Sequence, residues 1–178
     1  MKPKALKLTL TALFAVIISI CSMLSFPAAV PFTLQTFGVF LALFVLGGRF
    51  GTLSIAVYIC LGMAGLPVFH SFTGGIGILM SSSGGYIIGF LLSGMLYTLL
   101  TKVIGEKAWV KLISAFCALA VCYISGTLWF AFTATQSSGI LPIFMSCVVP
   151  FVIPDTVKIL LAFFISKRTE KFIRSHAR

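Results

Sequence analysis

The chain has 178 residues, 60% hydrophobic and 9% charged, with thirteen Lys and Arg against three Asp and Glu, and its mean hydropathy is +1.16. That balance excludes a water-soluble globular domain, whose surface so few polar groups could not cover, and makes the bilayer the expected solvent. The formal charge of +10 does not point to nucleic acid, because the basic residues flank apolar runs and are not interleaved with polar, base-stacking surface.

At about 20 apolar residues per crossing, six spans fit into one domain covering residues 1–178. The first predicted helix runs from about Ala5 to Ser25 and stops before Pro27. Its basic start, apolar stretch from Ala12 to Leu24 and small residues near Ala28 have the outline of a secretory signal. The alternation of charged and uncharged connections along the chain works best with this helix retained, so it is kept as the first span. Thr11, Ala15 and Ser19, with Ala12 beside them, form a small-residue stripe that lets another helix approach closely. The second helix runs from about Thr36 to Leu46, and the turn Gly47 to Gly51 leads into a third that ends near Ala64. Both are short for full spans, which tilt, local thinning or burial in the bundle would accommodate.

The connection GLPVFHSFTGGIGILMSSS, residues 65–83, is too broken by Pro and Gly for a clean helix and too apolar for a solvated loop, so it is expected to cap a cavity. The fourth helix spans about Gly84 to Val103, the fifth about Trp109 to Phe132, and the sixth begins near Phe144 or Pro154 and ends near Ser166. Gly85 and Gly89 form a GxxxG pair that helix packing explains. Tyr86 between them is either an interfacial aromatic or an inward-facing ring with a hydroxyl.

Charge then sets the topology. Lys2, Lys4 and Lys7 lead the first apolar run, Arg49 lies between the second and third runs, Lys102, Lys107 and Lys111 lie between the fourth and fifth, and Lys167, Arg168, Lys171, Arg174 and Arg178 follow the last. The connections around residues 27–35, 65–83 and 133–146 carry no charge. The fold expected is therefore an all-α integral membrane bundle of six transmembrane helices, with both termini cytoplasmic and the uncharged connections gathered outside as an entrance. The basic tail is also suited to contact with anionic membrane lipid.

One basic residue breaks the alternation. Lys158 lies inside the last apolar segment, three residues after Asp155, where ionisable groups are costly unless paired or functional. The spacing puts both on roughly one helical face. They either neutralise one another, with Pro154 opening a helix and Asp155 capping it, or meet the two ends of a polar ligand. The other acids, Glu106 and Glu170, lie among basic residues. The five cysteines lack metal-site spacing and read as small buried residues. No cofactor or metal is expected: Gly74, Gly75 and Gly77 belong to no phosphate-binding motif. No catalytic motif occurs, His70 and His176 are far apart in sequence, and His70 reads as a polar residue of the outer cap.

Taken together, PFTLQTFGVFLA at 31–42, GLPVF at 65–69, Gly74 and Gly75, GGYIIGF at 84–90 and PDTVK at 154–158 closely resemble the BioY family, the biotin-binding substrate components of energy-coupling-factor (ECF) transporters. The resemblance implies a six-helix bundle in the cell membrane that holds biotin near its outer side, capped by the loops after the first and third helices, and mediates biotin uptake without being an enzyme. It also implies a transmembrane coupling protein and two cytoplasmic ATPases as partners, although some members work without a dedicated module. Carried onto this chain, the pattern nominates Asp155, Lys158, Tyr86, Thr33, Gln35, Gly74 and Gly75 for the ligand. Phe69, Phe72 and Tyr86 are candidate apolar walls. Thr11, Ala12, Ala15 and Ser19 would face the transmembrane partner. Thr11 and Val16 depart from the alanines typical of that face, and Ser81 to Ser83 stand where a Gly-Pro-Thr type sequence is usual. The alternatives are the same architecture for another small vitamin, a lipid-modifying membrane enzyme and a structural membrane subunit.

Overall fold

The computed structural model describes residues 3–26, 32–133 and 140–176. The uncharged connections expected around 27–35 and 133–146 fall partly outside these residues, as do Lys2 and Arg178. Among the described residues the elements are α1 (Pro3–Met23), a two-residue ribbon of β1 (Ser25–Phe26) and β2 (Phe32–Thr33), α2 (Gln35–Leu46), α3 (Gly48–Met63), a 3-10 turn at His70–Phe72, α4 (Ile76–Met80), α5 (Gly84–Ile104), α6 (Ala108–Thr133), α7 (Ile140–Cys147) and α8 (Val149–His176). Four stretches are long and apolar enough to cross a bilayer: Ala5–Met23, Gly84–Ile104, Ala108–Thr133 and Pro142–Thr169. The shorter apolar helices are Gln35–Leu46 and Gly48–Met63. Large apolar side chains such as Leu13, Val103, Ile153 and Phe132 stand out from the bundle, as expected of a multi-pass membrane protein whose surface is solvated by lipid.

The sequence QTFGVFLALFVL of α2 is apolar on every side, and a helix without a polar face is stable only when enclosed. It is the central helix: nine of its residues, including Val39, Phe40, Ala42, Leu43 and Phe44, are buried. It packs against α8, α1 and α3. Burial inside the bundle thus accounts for its shortness. Gly47, at φ +78°, makes the α2–α3 turn in a single residue, tighter than the five-residue turn expected. A Cβ on Gly51 would lie 2.7 Å from the Leu43 Cα, so glycine permits the hairpin to close. Side chains from every long helix meet in one core, which Phe44 joins to α5 and α8 through edge-on contacts with Tyr97 and Phe163 at 5.9 and 5.5 Å.

The pair α5 and α6 is the most extensively packed in the molecule. Gly85 lies against the Trp129 side chain, Gly89 against Ser125 and the Cys122 carbonyl, and Gly126 against the Tyr86 ring. The GxxxG pair therefore serves helix packing, and the reciprocal glycine on α6 makes room for Tyr86.

The last span differs from expectation. The structure places α7 over 140–147 and a long α8 from Val149, so Pro154 lies inside a helix and does not open one. Asp155 is accordingly not a helix cap. Proline is tolerated there because the backbone groups it frees are re-satisfied in a membrane bundle by neighbouring groups.

Candidate functional site

The ribbon and the 65–83 connection close one end of the bundle, where they meet the first turns of α2, α5 and α8. Thr33, Gln35, Thr36, His70, Ser83, Tyr86, Ile87, Phe90, Leu119, Cys122, Tyr123, Cys147, Phe151, Asp155 and Lys158 line a cavity there. The space between their side chains, open mouth included, is about 570 Å³.

Asp155 and Lys158 are 4% and 6% exposed. Lys158 Nζ donates to Asp155 Oδ1 at 2.8 Å and to the Thr33 carbonyl of β2 at 2.7 Å. It also stands over the Phe32 ring, 4.1 Å from its centroid, and Phe32 in turn stacks on Phe151 of α8 at 5.7 Å. On the other side, Tyr123 of α6 donates its hydroxyl to Asp155 Oδ2 at 2.8 Å. One carboxylate thus ties α8 to α6, and one ammonium ties α8 to the ribbon. Exclusion of water strengthens each of these charge-assisted contacts.

Among the described residues the hydrogen bonds do not saturate the pair. An ammonium has three donors and a carboxylate about four acceptor positions, and these contacts use two of each. One N–H and the remaining lone pairs are left for a ligand carrying both donors and an anionic or carbonyl oxygen.

A second polar group is held from beneath. Gln35 donates its Nε2 to the Tyr58 hydroxyl at 3.2 Å, and Ser22 shares a 2.9 Å hydrogen bond with that hydroxyl while approaching Gln35 Oε1 at 3.4 Å. Thr33 Oγ1 accepts the Gln35 backbone N–H at 3.2 Å. At the mouth, His70 Nε2 and Ser83 Oγ share a 3.2 Å hydrogen bond, Ser81 bonds Ser83 at 3.0 Å, and Trp129 donates to the Ser81 carbonyl at 3.0 Å. Burial lowers the His70 pKa from its ordinary 6.5, because desolvation disfavours the charged ring. Tyr86 faces the cavity from α5, with its hydroxyl 3.5 Å from the Cys147 carbonyl.

The structure brings Asp155, Lys158, Tyr86, Thr33 and Gln35, all nominated from the sequence, to the wall of one cavity. Phe69, Gly74 and Gly75 lie behind it. Phe69 is fully buried, packed over Gly62 and edge-on to Tyr58 at 5.5 Å, so it supports the tyrosine that holds Gln35. Gly75, at φ +94°, donates its N–H to the Gly62 carbonyl at 2.7 Å, and Gly74 packs against the Leu66 carbonyl. Gly75 thus anchors the cap to α3, Gly74 packs within the cap, and neither is among the residues that line the cavity. Phe72 is 68% exposed.

Sequence reasoning missed Tyr123, Phe32 and Phe151 and gave His70 no part in the cavity wall. Tyr123 carried one signal, a hydroxyl in the middle of a span where nothing else accounts for it. The small-residue stripe also differs from expectation in its direction: Thr11, Ala15 and Ser19 are buried within the chain, and Ser54 of α3 donates to the Thr11 carbonyl at 3.0 Å. Ala12 and Val16 are on the exposed side of α1.

Comparison with known proteins places the chain among relatives of one kind. The biotin transporter BioY of Thermotoga maritima is 37% identical over 160 residues, covering 89% of this chain and 92% of that protein. A probable biotin transporter BioY of Pyrococcus horikoshii is 36% identical over 168 residues, covering 94% and 98%. The crystal structure of the S-component for biotin from an ECF-type ABC transporter superposes with a TM-score of 0.85 at 27% identity, covering 96% of this chain and 95% of that one. The matching relatives are transporters, not enzymes. With the BioY family profile matching residues 1–175, the chain belongs to the BioY family.

Proposed function

We propose that this protein captures biotin at the Asp155–Lys158–Tyr123 cluster and mediates its uptake across the cell membrane as the substrate-specific S-component of an ECF-type transporter. The observation that carries the reading is a buried, unsaturated ion pair at one end of an apolar cavity, in a chain of this family. Biotin combines a ureido group with two N–H donors, an apolar sulfur ring and a carboxylate. Asp155 and Lys158 offer complementary partners for the polar ends. Tyr86, Phe90, Leu119 and Phe151 offer apolar surface for the ring, the usual division of labour in small-molecule sites.

The two shorter helices, α2 and α3, complete six crossings in this reading, with the basic end and both termini facing the cytoplasm. Energy comes from a transmembrane coupling protein and two ATPases, dedicated or shared. Phe69, Gly74 and Gly75 act by holding the cap, and the exposed side of α1 at Ala12 and Val16 meets the coupling protein. The test is titration of the purified protein with biotin, read by fluorescence of Trp129, whose indole is tied to the cavity mouth through Ser81. A saturable fluorescence change with biotin that excess thiamine or riboflavin does not prevent is expected; no binding over a wide concentration range would sink the reading.

A further inference from the structure

At the opposite end of the bundle from the cavity, the first turns of α3 and the C-terminal half of α5 form an open recess of about 670 Å³ lined by Arg49, Thr52, Met95, Thr98, Leu99 and Lys102. Its two cations are brought together by helix packing. A Cβ on Gly48 would lie 2.7 Å from the Thr98 Cα, and one on Gly94 would lie 2.8 Å from Thr52 Oγ1, so two glycines let α3 and α5 close up. Thr52 and Thr98 then share a 3.0 Å hydrogen bond across the contact and are each bonded at 2.7 Å to a carbonyl of their own helix.

Arg49 and Lys102 therefore border one recess, and neither forms an ion pair with an acid among the described residues. The adjoining recess adds Lys7 along with Glu106, so positive charge predominates. The other half is apolar: Met95 and Leu99 are 53% and 57% exposed and lie in the membrane-spanning stretch of α5. Cations at the end of a span, with an apolar groove running from them toward the hydrocarbon, match the two halves of one molecule.

The geometry points to a binding site for an anionic phospholipid, its phosphate on Arg49 and Lys102 and an acyl chain along Leu99 and Met95. The planar guanidinium suits bidentate contact with phosphate oxygens, and the ammonium adds a point charge. Basic recesses between membrane helices are general sites for anionic head groups. A free phosphate would leave the apolar half uncovered, and a zwitterionic lipid carries its own cation.

The experiment is native mass spectrometry of the full chain released from detergent, titrated in parallel with phosphatidylglycerol, with phosphatidylcholine of the same acyl chains and with inorganic phosphate. One phosphatidylglycerol is expected to be retained at least about tenfold more strongly than phosphatidylcholine, since two cations at the membrane surface attract the anionic head group and not the zwitterionic one. The preference is expected to vanish in Arg49→Gln/Lys102→Gln and to survive in Lys167→Gln/Arg168→Gln, which removes the same charge from α8. Leu99→Asn should weaken retention while leaving some head-group preference. Equal retention of the two lipids would overturn the assignment, as would equal loss in the α8 variant or displacement of the lipid by phosphate at comparable concentration. Arg49 and Lys102 are both exposed, so their variants are expected to fold. Unchanged thermal melting without lipid checks this, and Lys102→Gln alone, predicted to lose about half of the preference on a logarithmic scale, gives an independent reading. If the double variant keeps its lipid preference but no longer captures a transmembrane partner, the recess is a protein contact and the lipid assignment fails.

Discussion

Lys158 holds three things at once: the Asp155 carboxylate, the Thr33 carbonyl and the Phe32 ring. Among the described residues, Lys158→Met removes the one Lys or Arg of the cavity wall and leaves Asp155 buried with its Tyr123 contact. Biotin affinity in calorimetry should fall by at least about 2 kcal/mol, the scale for truncating one partner of a desolvated charge pair. Thermal unfolding should show a stability loss of about 3–5 kcal/mol. Combining it with Asp155→Asn should recover part of that stability, because the stranded charge is gone, while binding stays lost; additive stability losses would mean that the two residues do not act as a pair. Tyr123→Phe tests the residue that only the structure revealed. Losing one hydrogen bond to a charged group should weaken biotin binding by about 1.5–3 kcal/mol, and an unchanged affinity would remove Tyr123 from the site. His70 gives a pH signature. Its pKa in the folded protein is depressed by burial, so the unfolded chain binds its proton first as pH falls. The stability from a neutral, buried ring is complete above about pH 6.5 and is lost as pH drops through the lower folded value. Melting temperatures measured from pH 7.5 to 5 should decline less in His70→Gln than in the parent protein.

Among the elements, α5 and α6 show how a sequence pattern becomes a site. Gly85 and Gly89 let α6 approach, Gly126 receives the Tyr86 ring, and Trp129 of the same face reaches the Ser81 carbonyl at the mouth. Gly126→Leu should therefore displace Tyr86, costing about 1–3 kcal/mol or more through overpacking and weakening ligand binding with it. Gly77→Ala, where an added Cβ meets nothing within 4 Å, should leave melting unchanged and serves as the control. The extents of α5 and α6 were readable from hydropathy to within a residue at each end, since their runs are bounded by glycine, lysine and serine. The α7–α8 boundary was not. A run from Phe144 to Ser166 reads the same with or without a break, and Pro154 invites a start that packing against α2 overrides.

For the molecule as a whole, the two ends have opposite characters: the cap, the cavity and Asp155–Lys158 lie at one, and Lys7, Arg49, Lys102 and Lys111 lie around recesses at the other. With the native cysteines replaced, a cysteine at Phe72 should react with a membrane-impermeant maleimide in intact cells, and one at Lys107 only after permeabilisation; the reverse pattern would invert the proposed topology. Residue order alone determined that this chain lives in a membrane, where most of its helices run, which connections are uncharged and that Asp155 and Lys158 are out of place, because each of these follows from local composition and the high free energy of charge in hydrocarbon. The five motifs also carried the family. Only tertiary structure decided which side chains share the cavity. Tyr123 meets Asp155 across 32 positions and Thr33 meets Lys158 across 125, contacts that arise from helix packing and that no local pattern encodes. For the same reason Phe69, Gly74 and Gly75 proved to support the cap and not to line the cavity, and the stripe of Thr11, Ala15 and Ser19 turned inward: a small residue permits close approach, but the bundle selects the neighbour.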